Sequence, residues 1–149
     1  MKITKYVWIA SALLFVLPVV AGAGETPGLK EIMQDLRDSL VEISDGLLVD
    51  DLEQVASGAG GIAEHPKIPA AQVQLVAAAL GPEMAAFKQL DTRVHDLSLE
   101  IRAAAESHDR SAVITGYQQV IEACLACHQS YKERVAMALA QDVETTSAD

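Results

Sequence analysis

The chain is poor in most of what would tie a protein together from outside its core or dock it on a polyanion. Only Cys124 and Cys127 are cysteines among 149 residues, so no disulfide framework remains once that pair has another task. Aromatic residues make up 4% of the chain, too few to supply much of a core. Lysine and arginine number 11 against 21 acidic residues, a net charge of −10. Nucleic acid and anionic membrane surfaces need clustered positive charge and are excluded as partners. No stretch reads as a convincing β-strand. The longest apolar run, Val7 to Val20, spans about 14 residues and is short of the roughly 20 that a membrane span needs.

That run still has a use. Lys2 and Lys5 precede it, only Ser11 and Pro18 interrupt it, and Ala21-Gly22-Ala23 after it fits an A-x-A cleavage site. Residues 1–23 are therefore expected to be a cleavable secretory signal peptide, with no stable membrane insertion after cleavage. Its removal leaves 126 residues, enough for one compact domain over 24–149. The leader takes two lysines and no acid with it, so the mature charge becomes −12.

What is present is the run Cys124-Leu125-Ala126-Cys127-His128, a CxxCH motif that reads as a c-type haem attachment site. Each thiol can add across one haem vinyl group to form a thioether, while the adjoining imidazole is delivered to the iron. On a helix, positions i, i+3 and i+4 share a face, so all three side chains address one flat ligand. Two other chemistries use CxxC pairs. A thioredoxin-like pair belongs at the head of a helix after a strand, whereas this one lies inside a long helical pattern. Structural zinc takes four Cys or His ligands, and no second CxxC or His pair lies at a suitable spacing. Covalent haem attachment takes place outside the bacterial cytoplasm, so motif and leader agree on a periplasmic destination.

The spacing of apolar residues is helical almost throughout. Leu29, Ile32, Met33, Leu36, Leu40, Ile43 and Leu47 mark a first helix from about Pro27 to Ser44, with Gly46 near its end. Asp50 or Asp51 offers an N-cap for a second helix to about Ala63, weakened by Gly58, Gly60 and Gly61. His65-Pro66-Lys67-Ile68-Pro69 stops it, because two prolines so close prevent helix continuation. An alanine-rich piece over 70–80 follows. Gly81-Pro82 opens a third long helix through Met84, Phe87, Leu90, Val94, Leu97 and Ile101. Ser107-His108-Asp109 makes a turn, and Asp109 caps a last helix from about Arg110 to Ala140, ahead of a frayed acidic tail over 141–149.

Four amphipathic helices with short connections predict an all-α fold, an antiparallel up-down-up-down four-helix bundle. First and last helices are then antiparallel neighbours, which puts Met33 in the neighbourhood of His128. Tyr117, seven residues before Cys124, and Ile121, three before it, should face the same interior side, with Leu36, Phe87 and Leu125 as apolar walls. Ordinary bundle core is equally compatible with those positions.

In these respects the chain resembles the class II c-type cytochromes, the cytochrome c-prime superfamily of haem-bearing four-helix bundles. The resemblance covers the mature chain from the helix with Met33 to Cys124-Leu125-Ala126-Cys127-His128-Gln129-Ser130-Tyr131-Lys132. A CxxCH close to the C-terminus separates this class from those with the motif near the N-terminus. Tyr131 matches the aromatic three residues after the motif histidine, and Lys132 stands where an arginine is common. The resemblance implies one covalent haem c on Cys124 and Cys127, with His128 as proximal iron ligand. The run Glu31-Ile32-Met33-Gln34-Asp35-Leu36 looks like the branch with methionine as distal iron ligand, although a methionine on an apolar stripe is usually core.

The expected activity is one-electron transfer with redox partner proteins, whose docking surface a −12 chain allows to be basic, rather than enzymatic turnover. The alternative is a five-coordinate cytochrome c-prime that binds or buffers small gases such as nitric oxide. Members of the class are commonly homodimers through helices one and two. Met84 and Met137 are expected in core or surface roles, and His65, His95 and His108 are expected to be solvated or structural.

Overall fold

The computed structural model describes residues 27–146, with side chains over 27–140. The expected signal peptide, and residues 147–149 of the expected tail, lie outside the described residues. The chain is all-α, with α1 (Leu29–Val49), α2 (Leu52–Ala63), α3 (Ala70–Leu80), a 3-10 turn (Gly81–Glu83), α4 (Met84–Glu106) and α5 (Arg110–Thr146). No strand occurs among the described residues. No helix there is long and apolar enough to cross a membrane.

Two boundaries differ from the sequence reading. α1 runs five residues past Ser44, because Gly46 does not end it. Gly46 is buried, and a Cβ there would sit 2.8 Å from the Asp51 carbonyl oxygen and 3.0 Å from Val55. The glycine lets α2 fold back closely on α1. The chain reverses at Asp50, whose φ of 58° is left-handed. Asp51 then donates its N–H to the Gly46 carbonyl at 2.8 Å, while its carboxylate accepts from the Gln54 N–H at 3.0 Å as the N-cap of α2. At the other end, α5 continues to Thr146 instead of stopping near Ala140. Residues 141–146, Gln-Asp-Val-Glu-Thr-Thr, contain no glycine or proline to break a helix already thirty residues long.

α1 packs on α2, α2 on α4, α4 on α5, and α3 on α5. Along α4 and α5 the contacts run in opposite senses. Glu83 pairs with Arg134 at 2.8 Å, Phe87 stacks on Tyr131, and Gly116 lies against Ile101. Arg110 at the start of α5 donates to both carboxylate oxygens of Asp50, at 2.7 and 3.0 Å, and so ties the α1–α2 turn to the last helix.

The interior divides in two. The larger cluster joins Ile43, Val55, Ile62, Leu97, Ile101, Val113 and Val120, from α1, α2, α4 and α5. The smaller joins Leu29, Val76, Leu80, Tyr131 and Val135, from α1, α3 and α5.

Candidate functional site

The CxxCH motif lies in the middle of α5, with Cys124 and Cys127 as half-buried free thiols and His128 exposed. Cys124 packs against the larger cluster and Cys127 against the smaller. The seam between the two halves of the core therefore passes between the thiols. The same change of allegiance falls between Leu90 and Val94 on α4, and between Leu29 and Leu36 on α1. Met33 stands between those two α1 residues, four after the first and three before the second, and so shares their face of the helix. It is 38% exposed, hence not the core filler that a methionine on an apolar stripe would ordinarily be.

The expectation that the first and last helices are antiparallel neighbours is corrected: α1 and α5 are not among the helix pairs in extended contact within the described residues, because α1 packs along α2 and α2 along α4. Both clusters relate them: Ile43 shares the larger with Val113 and Val120, and Leu29 shares the smaller with Tyr131 and Val135. One turn onward from Leu29 is Met33, and one turn back from Tyr131 is Cys127, followed by His128. Met33 is thus one turn from the smaller cluster along α1, and Cys127, with His128 after it, one turn from that cluster along α5.

The other expected site residues fall around the seam. Tyr117 and Leu36 pack on the larger cluster, Phe87 and Tyr131 on the smaller, and Ile121 is half-buried on α5. Phe87, Tyr117 and Tyr131 are the only aromatic residues after position 23, and all three pack on the cores that border the seam. Leu125 is a correction. Expected as an apolar wall, it is 52% exposed, because a residue one step from Cys124 turns about 100° away from the face that the thiols share. Met84 packs on the smaller cluster and Met137 is exposed. His95 and His108 are exposed, on the surface of α4 and in the turn after it, and His65 lies in the proline-rich break beside the Pro66 carbonyl.

Burial pushes both thiols above their ordinary pKa, and for Cys127 the negative charge of Asp91 and then the neighbouring Cys124 add to the effect. A nucleophilic cysteine needs the reverse, cations or a helix N-terminus that stabilise thiolate. Among the described residues no three His, Cys, Asp or Glu side chains gather around a point where they could hold an ion, so a zinc site has no ligand set. Haem asks less of the protein, namely two thiols for the vinyl groups, one or two axial donors and an apolar surround. The two thiols, His128, Met33 and the two bordering clusters fit that group.

Two residues that sequence reasoning missed also belong here. Asp91 on α4 stands beside Cys127, a neighbour that only the α4–α5 register reveals. Gln72 on α3 accepts the Leu29 N–H at 2.7 Å, across 43 residues of sequence. Two shallow surface grooves lie elsewhere, one lined by Leu52, Ala56, Arg102 and His108, the other by Glu100, Thr115 and Gln119. Compared with family models, with curated proteins and with solved structures, the chain finds no match.

Proposed function

We propose that the chain is a periplasmic mono-haem cytochrome of the class II c type, exported by a cleaved leader, and that it carries single electrons between partner proteins. The observation that carries this reading is the seam, where both thiols of a CxxCH motif face the boundary between two apolar clusters. The pairwise packing of α1 on α2, α2 on α4 and α4 on α5 supports an up-down-up-down bundle, with α3 as an excursion between its second and third members.

When bound, haem c supplies a one-electron Fe(III)/Fe(II) couple. The chain's own residues do the rest. Cys124 and Cys127 would hold the group covalently, with His128 on the same helix and Met33 on α1 as its donors. Soft sulfur in that position favours the reduced metal and raises the potential. Leu36, Phe87, Tyr117, Ile121 and Tyr131 exclude water from the seam. The reading calls for no acid–base pair, and the carboxylates are spread over helix exteriors. The acidic surface suits a partner with a basic docking face, chiefly by speeding encounter.

A second reading, reversible gas binding, draws on one observation, that Met33 is partly exposed on a helix not packed against α5. If Met33 were displaceable, the bound group would be open to a small ligand. Absorption spectra of the haem-loaded protein, oxidised and reduced, separate the readings. Sharp reduced bands, with a weak far-red ferric band that is lost in Met33→Ala, are expected of the electron carrier. A broad high-spin spectrum that shifts with carbon monoxide favours the gas binder, and absence of a Soret band overturns both.

A further inference from the structure

α1 starts without a cap of its own. Its N-cap residue is Gly28, which has no side chain to accept from the first N–H groups. The acceptor comes instead from α3, as Gln72 Oε1 takes the Leu29 N–H at 2.7 Å in a partly buried hydrogen bond. The approach is close. A Cβ on Gly28 would lie 2.9 Å from Gln72 Nε2 and 2.8 Å from the Glu31 carboxylate. Beside the hydrogen bond, Val76 and Leu80 of α3 are buried in the cluster that Leu29 shares with Tyr131 and Val135. α3 in turn packs on α5, while α1 makes no extended contact with either of them, so the Gln72 hydrogen bond is, among the described residues, the one polar tie from the first turn of α1 to α3. The first turn of α1 thus joins α3 through one hydrogen bond, and joins α3 and α5 together through one small apolar cluster. Met33 lies a single turn beyond that attachment.

We propose that Gln72 is a positioning residue for Met33, and that the α3 strap, by fixing the first turn of α1, sets how often the Met33 sulfur leaves the iron and admits a gas. This rests on the proposed ligation by Met33. It also relates the two functional readings, because one fold serves as carrier while the strap holds and as gas binder when it yields. Loss of one hydrogen bond of ordinary strength shifts a two-state equilibrium about fivefold. A ligand that binds only the open state then associates faster by the same factor.

The test uses ferrous haem-loaded protein with carbon monoxide as the probe, comparing the parent with Met33→Ala, Gln72→Leu and Gln72→Glu. Glutamate keeps an acceptor at this place and suits the positive end of α1. The expected result is association about fivefold faster in Gln72→Leu, with a weakened far-red ferric band, and a rate close to the parent in Gln72→Glu. Gly28→Ala approaches the same contact from the other side, by crowding Gln72, and should also speed association. A parent with the far-red band but with no change of rate in Gln72→Leu and Gly28→Ala overturns the strap and leaves Met33 ligation standing. Equal acceleration by Gln72→Leu and Gln72→Glu also overturns it, because the hydrogen bond would then not be the cause. A parent that lacks the band and binds carbon monoxide as fast as Met33→Ala removes the ligation itself, and the inference with it.

Discussion

Phe87 of α4 and Tyr131 of α5 meet edge to face, with ring centroids 5.6 Å apart and planes at 87°. Such a contact is worth about 0.5–1.5 kcal/mol beyond the area it buries. Tyr131 is itself buried, and the Arg134 guanidinium lies 5.5 Å over its ring, while Arg134 is paired with Glu83. One turn inward on each helix the same register brings Asp91 level with Cys127, so the aromatic pair sets the helix spacing at the motif. Tyr131→Ala should destabilise the protein by about 3 kcal/mol in urea unfolding, and Tyr131→Phe, which keeps the ring, by less than about 1 kcal/mol. Equal losses in the two variants would show that the ring contact is not what matters.

Cys127 gives a pH dependence with a definite sign. In protein made without haem, burial first and the Asp91 charge second hold its pKa above that of an unfolded thiol, about 8.5. The folded state then binds the proton more tightly than the unfolded state does. The resulting stability is complete below the unfolded value and is lost as pH rises through the folded one. Asp91→Asn removes one of the causes. Alkylation by iodoacetamide, followed residue by residue by mass spectrometry across pH 7–11, should find the Cys127 midpoint lowered in Asp91→Asn, with Cys124 unmoved.

How far the fold and site could be read from sequence follows from the range of the interactions concerned. Helix starts and stops set by local chemistry were legible, including a cap at Asp50 or Asp51, a choice the structure settles on Asp51, the His65–Pro69 break and the Asp109 cap, which accepts the Ala112 N–H at 3.0 Å. The motif was legible too, since its spacing is itself the geometry of one helical face. The end of α1 was not, because Gly46 reads locally as a terminator and acts instead as a place where α2 comes close. Neither Gln72 nor Asp91 carries a sequence signal. One is bonded across 43 residues and the other gains its neighbour from the α4–α5 register. Leu125 was misplaced because apolar character alone does not say which way a side chain turns.

The glycines of α2 separate helix propensity from packing. A Cβ on Gly58 would stand 2.7 Å from the Ser39 carbonyl oxygen and 3.0 Å from the Ile43 nitrogen, both backbone atoms of α1 that cannot move aside cheaply. On Gly60 it would meet only the flexible Arg102 side chain, at 3.6 and 3.7 Å. Gly60→Ala should therefore stabilise the protein by about 0.5–1 kcal/mol through helix propensity. Gly58→Ala should destabilise it by about 1–3 kcal/mol, overpacking outweighing the same propensity gain. Thermal melts of the two single variants would show opposite shifts, and shifts of the same sign would mean that α1 and α2 can part at no great cost.

Removing the thiols tests whether the seam depends on what it holds. Cys124 and Cys127 are half-buried, one against each of two clusters that share no residue, and Leu125 between them is exposed. Local helical order has other supports at a distance from the seam, among them the Asp50–Arg110 and Glu83–Arg134 pairs and the α1–α2 glycine contacts. Cys124→Ala with Cys127→Ala should therefore keep most far-UV helical signal while the melting midpoint falls and the transition broadens, because the two half-cores lose what joins them. On the proposed attachment each single variant would retain one thioether and should keep haem through acid-acetone extraction, whereas the double variant should release it. A double variant that melts as sharply and at the same temperature as the parent would mean that the clusters are already one core, and that the motif's placement at their boundary is incidental.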